Sequence, residues 1–286
     1  MRVLEQAVRD LGTPRSLVML RDLDGHAVAV GRWQHGDKRY ETSDADALRV
    51  ALNVRGAHEV RHVEAGHVMR ASVVPGYVAA ASPGRSCRTT IEGNADLVRI
   101  YIDAARLGRA AWRPELPSLA VADDAVRAAA VTMFVAAQAG DGPRSRRAAT
   151  VLRRAACRAL LRARRGDLPR KGGLQPTVRR RVESLIEKRL GEQGRPPRVG
   201  ELAAEAGLSV SHFGRAFREA TGTTPHQHLM VRRQQQAMAL LGEPGLSVAD
   251  VADLLAFSSP AHFVASFRQK LGVTPGGYRD AVLDPG

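Results

Sequence analysis

The chain has 286 residues, 44% of them hydrophobic and 25% charged, with a formal net charge of +14 at pH 7. This length suggests two domains, each large enough for its own core. No apolar run approaches the ~18–20 residues that span a bilayer, and Arg2, Glu5, Arg9 and Asp10 stand where a signal peptide would need apolar residues. A cytoplasmic protein is expected. Its two cysteines, Cys87 and Cys157, have neither metal-ligand spacing nor the number for a disulfide framework, so reduced thiols are expected. The basic balance favours a polyanionic partner, nucleic acid first. The excess is uneven. Residues 1–143 hold 18 Lys+Arg against 17 Asp+Glu, 144–171 hold 11 against 1, and 172–286 hold 14 against 11.

In chain order, residues 1 to about 105 read as β-rich. Short runs such as Ser16–Leu20, Ala27–Val30, Val68–Val74 and Leu97–Ile102 alternate with turn signals at Asp24-Gly25, His35-Gly36-Asp37, Pro75-Gly76 and Pro83-Gly84. That texture predicts a small sandwich or barrel. Beyond Pro114 and Pro117 an Ala-rich helix is predicted over Asp123–Ala139, ended by Gly140-Asp141-Gly142-Pro143. A second follows over Ser145–Arg165, with Val151, Leu152, Ala155, Leu160 and Leu161 as its apolar stripe and Arg146, Arg147, Arg153, Arg154, Arg158, Arg162 and Arg164 around it. Its arginines are expected to form a solvated face, with phosphate contact the alternative. Residues 166–173 read as a linker, and everything after Leu174 reads as helical, beginning with Gln175–Leu190 and a break from Gly191 to Pro197.

The last section repeats itself. Ser209, His212, Phe213, Phe217, Arg218, Gly222, Thr224 and Pro225 recur 50 residues later as Ser259, His262, Phe263, Phe267, Arg268, Gly272, Thr274 and Pro275. Val199, Glu201 and Ala203 recur at an offset of 49 as Val248, Asp250 and Ala252. Each unit has the logic of a helix-turn-helix. Ala203 and Ala252 are small enough for close helix crossing, Gly207 suits a tight turn, and Ser209 and Ser259 cap the second helix. Phe213 and Phe217, like Phe263 and Phe267, anchor that helix by one face. Ser247-x-x-Asp250 is a capping box. Thr224-Pro225 and Thr274-Pro275 read as a cap followed by a first-turn proline. A helix from Pro225 to about Leu241 then joins the units, at a length of ~25 Å, against the ~34 Å of one DNA turn.

The residues named above from Ala203 to Pro225 and from Ala252 to Pro275, together with Leu202, Leu208, Arg215, Arg233, Ala237, Val251, Phe257, Val273, Tyr278 and Arg279, resemble the AraC/XylS family of bacterial transcription regulators over about the last hundred residues. The N-terminal half resembles the family's cupin-type regulatory half loosely, through Cys87–Asp103. The resemblance implies a multidomain α and β chain. Residues 1–110 would form a β-rich cupin-like barrel, 111–173 helical dimerisation or linker segments, and 174–286 an all-α domain of two helix-turn-helix units. It also implies a sequence-specific, effector-responsive regulator, more often an activator, working as a homodimer on promoter DNA and in contact with RNA polymerase. Three positions depart from the family pattern: Ala256 stands where a turn glycine is usual, His228 where tyrosine is common, and Ala265 where arginine is frequent.

The expected DNA-facing residues are Ser211, His212, Gly214, Arg215 and Arg218 in the first unit and Ala261, His262, Ala265 and Arg268 in the second. Arg215 is the base-contact candidate, since a guanidinium bridges guanine O6 and N7. The second helix offers apolar Pro260, Ala261, Val264 and Ala265, fitted to thymine methyls, with His262 and Arg268 for phosphate. Phe257 is a further structural anchor. Trp33, Tyr40, Tyr77 and Tyr101 are the candidates for an effector-stacking wall. His58, His62 and His67, with Glu59 and Glu64, invite a metal, but the spacing lacks the paired-histidine pattern with a downstream glutamate, so neither a metal, nor another cofactor, nor an enzymatic activity is expected. The alternatives are a non-specific basic nucleic-acid binder and, behind it, a metal-dependent cupin enzyme fused to a DNA-binding domain.

Overall fold

The computed structural model describes residues 5, 8, 11–42, 47–64, 67–84, 86–104, 119–120, 123–164 and 173–284. The chain is a β half followed by a helical half. Strands β1 (Ser16–Arg21), β2 (Ala27–His35), β9 (Ala95–Asp103), β4 (Ala47–Arg55), β7 (Val78–Ala81) and β10 (Leu119–Ala120) form one sheet in that order. Strands β3 (Lys38–Thr42), β8 (Cys87–Glu92), β5 (His58–Glu64) and β6 (His67–Val73) form a second. Every pairing among the described residues is antiparallel.

The six-stranded sheet is buried on both faces at its centre, and strand alternation sorts its side chains. Val28, Val30, Leu48, Val50, Leu52, Val54, Val98, Ile100 and Ile102 share a core with the helices. Ala29, Trp33, Leu97 and Tyr101 meet Tyr40 and Ile91 of the smaller sheet in a second core. β2, β4 and β9 therefore read as near-continuous apolar runs, as two-sided burial demands. The chain between residues 105 and 118, where the first predicted boundary falls, lies outside the described residues, as do residues 166–172 of the predicted linker.

The helical half holds α1 (Asp124–Gln138), α2 (Gly142–Arg164), α3 (Pro176–Gln193), α4 (Val199–Glu205), α5 (Val210–Thr221), α6 (Pro225–Leu241), α7 (Val248–Leu254), α8 (Pro260–Leu271) and α9 (Pro275–Leu283). Asp123 caps α1 through hydrogen bonds from the Ala125 and Val126 amides. Two boundaries correct the sequence expectation. Gly142 and Pro143, expected to end α1, instead open α2. Asp141 Oδ1 accepts from the Arg144 amide at 3.0 Å, and proline is well placed in a first turn. The predicted break at Gly191 also falls later. α3 continues to Gln193 and stops at Gly194, whose φ of 62° is left-handed.

The helices belong to two cores. Leu174, Val182, Ile186, Leu190, Leu202, Ala203, Phe213, Ala216, Phe217 and Leu229 form one that holds α3, α4, α5 and the start of α6. The second unit's Val251, Ala252, Leu255, Phe263, Phe267, Leu271, Val273 and Tyr278 instead join α1 and the six-stranded sheet. Arg32 of β2 binds Asp96 through two hydrogen bonds and donates to the Ala281, Val282 and Asp284 carbonyls around the end of α9. Tyr278 Oη donates to the Val54 carbonyl at 3.0 Å. Among the described residues no helix is long and apolar enough to cross a membrane.

Candidate nucleic-acid interface

Each unit sets its second helix by the same devices. Ser209 Oγ accepts from the His212 amide at the start of α5, and Ser259 Oγ from the His262 amide at the start of α8. Phe213 and Phe217, then Phe263 and Phe267, are buried on one side of each helix. Ala203 and Ala252 are buried at the helix crossings. Gly207 takes a φ of 68° in the first turn, with open space around it. Thr224 and Gln227 form a capping box at α6, Ser247 and Asp250 one at α7, and Thr274 caps α9.

With the phenylalanines inside, Ser211, His212, Arg215 and Arg218 are exposed along α5, and Gly214 is half-buried between them. On α8, Ala261, His262, Ala265 and Arg268 are exposed. A shallow concavity on that helix is lined by Ala261, Val264, Ala265, Arg268 and Gln269. Gln269 is not among the residues that the sequence singled out. It lies four residues after Ala265, which is the signal that would have placed it on the same face. A glutamine amide can read adenine N6 and N7, so the second helix is chemically richer than its apolar residues suggest.

Two of the three departures from the family pattern have a structural answer. Ala256 adopts φ 50°, the left-handed turn conformation despite its Cβ. Arg233 braces that turn by donating to the Leu255 carbonyl at 2.8 Å and stacking its guanidinium 4.0 Å from the Phe257 ring centroid. Phe257 itself is half-buried and lies edge-on to His262. His228 packs edge-on against Phe217 at 5.3 Å and pairs with Glu183 of α3 at 3.0 Å, giving the ring position a polar partner. Ala265 leaves its place on α8 exposed and without hydrogen-bonding atoms.

A cavity of about 90 Å³ lies between the two sheets. Tyr40, Tyr77 and Tyr101, three of the four aromatic candidates, line it. Trp33 does not: it is buried in the inter-sheet core, donating to the Gly12 carbonyl. Two arginines that the sequence did not single out, Arg49 and Arg99, also line the cavity. His58 and His62 do too, whereas Glu59 is exposed and accepts from Ser72, and nothing is described of the His67 side chain. Burial and the nearby Arg99 charge hold the His58 imidazole down to about 4, so it is neutral at pH 7. Among the described residues no three His, Cys, Asp or Glu side chains come together as a metal site.

The geometry defines a chain with two tandem helix-turn-helix units, and a helix-turn-helix domain family model matches residues 202–281. The chain belongs to the AraC/XylS family of helix-turn-helix transcriptional regulators. It is 30% identical over 83 residues to the "Probable transcription factor PqrA" of Proteus vulgaris, covering 29% of this chain and 68% of that protein. It is 33% identical over 98 residues to the "Probable transcriptional regulator LumQ" of Photobacterium leiognathi (34% and 37%). It is 32% identical over 102 residues to the "RCS-specific HTH-type transcriptional activator RclR" of Escherichia coli K12 (36% of each). The match thus spans little more than a third of the length of LumQ and RclR.

Proposed function

We propose that the protein regulates transcription by binding specific DNA with α5 and α8 in successive major-groove segments, under control of a small molecule held between the sheets. The observation that carries this reading is the paired arrangement of two capped, phenylalanine-anchored helices with polar or open outer faces. Arg215 supplies the main base contact, with Ser211 one turn earlier on the same face. His212, Arg218, His262 and Arg268 hold phosphate, and Ala261 and Ala265 meet thymine methyls. Residues 1–110, 111–173 and 174–286 act as regulatory, linking and DNA-binding parts of a homodimer. Regulation is by activation through RNA polymerase, in keeping with the name of RclR.

A structural route favours the effector control. Asn53 and Tyr77 line the cavity, and their backbones hold the turn at Gly76. A Cβ at Gly76 would stand 2.7 Å from Met238 Sδ of α6, the helix that joins the two units. Arg127 of α1 donates to the Gly76 carbonyl at 2.9 Å.

The test is selection of a genomic fragment library by the full chain at near-physiological salt, with Arg215→Ala alongside. One enriched motif, weakened by roughly 1–3 kcal/mol or broadened at one base in the variant, is expected. Uniform, salt-labile binding unchanged by the substitution would instead mark a non-specific binder.

A further inference from the structure

We propose that the cavity between the sheets binds a compact organic carboxylate seated on the Arg99 guanidinium. This rests on the effector-responsive reading above and names the chemistry of its site. Arg49 and Arg99 line the cavity, and among the described residues no aspartate or glutamate lines it, while the buried Glu64 carboxylate lies 3.6 Å from the lining His62. The two arginines project from adjacent strands, since β4 pairs with β9 so that Ala51 faces Arg99 and Arg49 faces Tyr101. Arg99 donates to the Tyr40 hydroxyl, and its Nε is buried with no hydrogen-bond partner.

Two other polar side chains are left in the same condition. Both ring nitrogens of His58, which is 5% exposed, lack a partner. Asn53 Oδ1 also lacks one, and its amide orientation is settled because Nδ2 donates to the Gly56 carbonyl at 2.8 Å. Buried polar groups are seldom orphaned, and the half-buried Arg99 has its Nε enclosed with no acceptor. A carboxylate answers the Arg99 guanidinium, because its two oxygens match the fork, and it can accept from the single N–H of the neutral His58 ring, whereas Asn53 Oδ1 is itself an acceptor and needs a donor elsewhere on the ligand. Ala51, Ala79 and Leu97 give the rest of the cavity an apolar wall, which suits an organic body over an inorganic anion. A volume of about 90 Å³ is below the ~150 Å³ that accepts benzene. The body is therefore short.

The experiment is thermal unfolding of the full chain, without DNA, in millimolar acetate, propionate, butyrate or lactate. The matched neutral amides, inorganic phosphate and benzoate serve as comparisons. At least one short carboxylate is expected to raise the midpoint by about 3 °C or more, with its amide, phosphate and benzoate flat. Arg99→Met and the cavity-filling Ala79→Leu should each abolish the shift. If Arg99→Met does not fold, the carboxylate–amide comparison and Ala79→Leu decide. Equal shifts from the amides, a shift from phosphate alone, no shift from any carboxylate, or a shift that survives Ala79→Leu would each overturn the assignment. DNA selection is read separately, so loss of the regulator reading and loss of the carboxylate site are distinguishable.

Discussion

At the residue scale, two side chains hold conformations or charge states that the fold imposes on them. Ala256 stands at φ 50° in the turn before α8. A glycine there would relieve the Cβ clash of the left-handed region, so Ala256→Gly should stabilise the chain by ~0.5–1 kcal/mol in denaturant titrations; unchanged or lower stability would deny the strain. His58 is held neutral, with its pKa near 4 against 6.5 when unfolded. Between those values the unfolded chain binds the extra proton, so stability falls as pH drops from about 6.5 towards 4. For this one group the loss amounts to about 3 kcal/mol at the limit. A His58→Gln variant should show a flatter stability profile across that window. The exposed residues of α5 and α8 were legible in the sequence because helical spacing separates them from the phenylalanines. Arg49 and Arg99 were not. They lie in strands whose adjacency arises from tertiary pairing, and a lone arginine within a strand carries no local sign of facing a cavity.

At the element scale, capping chemistry made the helical half readable almost residue by residue, with Ser209, Thr224, Ser247, Ser259 and Thr274 all accepting the expected amides. The arginine-rich α2 was less legible. Composition suggested a solvated face, but several of its arginines hold the helix in place. Arg153 is nearly buried, bonding Asp22 at 2.8 Å and also Asp24. Arg146 donates to the Arg21 carbonyl, and Arg144 to the Gly272 carbonyl at the end of α8. Their acceptors lie about 130 residues away in sequence, which no helical pattern reveals. Arg153→Ala would leave the Asp22 carboxylate, 1% exposed, without its countercharge. A loss of about 3 kcal/mol is expected, read as a lower denaturant midpoint. Arg158→Ala, at an exposed position on the same helix, should change stability by less than ~0.5 kcal/mol.

At the scale of the whole molecule, the repeat in sequence is broken in packing. The first unit closes its own core with α3, whereas the second completes its core against α1 and the six-stranded sheet. Arg32 and Tyr278 tie that junction with hydrogen bonds to backbone carbonyls. The matching caps and anchors of the two units could not disclose this difference, because it depends on which surface each unit meets. It has a consequence for a 174–286 fragment, which the sequence alone presents as a self-sufficient DNA-binding domain. Cutting there removes the partners of Phe267, Leu271, Val273 and Tyr278, and exposes an apolar face on α8 and α9. Amide exchange in the fragment should remain slow in α4 and α5 but become fast in α7, α8 and α9, whereas in the full chain both sets are protected. Equal protection of the two units in the isolated fragment would show that the second unit needs no support from the sheet. Loss confined to the second unit would mean that the fold of α8 depends on the sheet, so that a change between the sheets has a packed connection to α8.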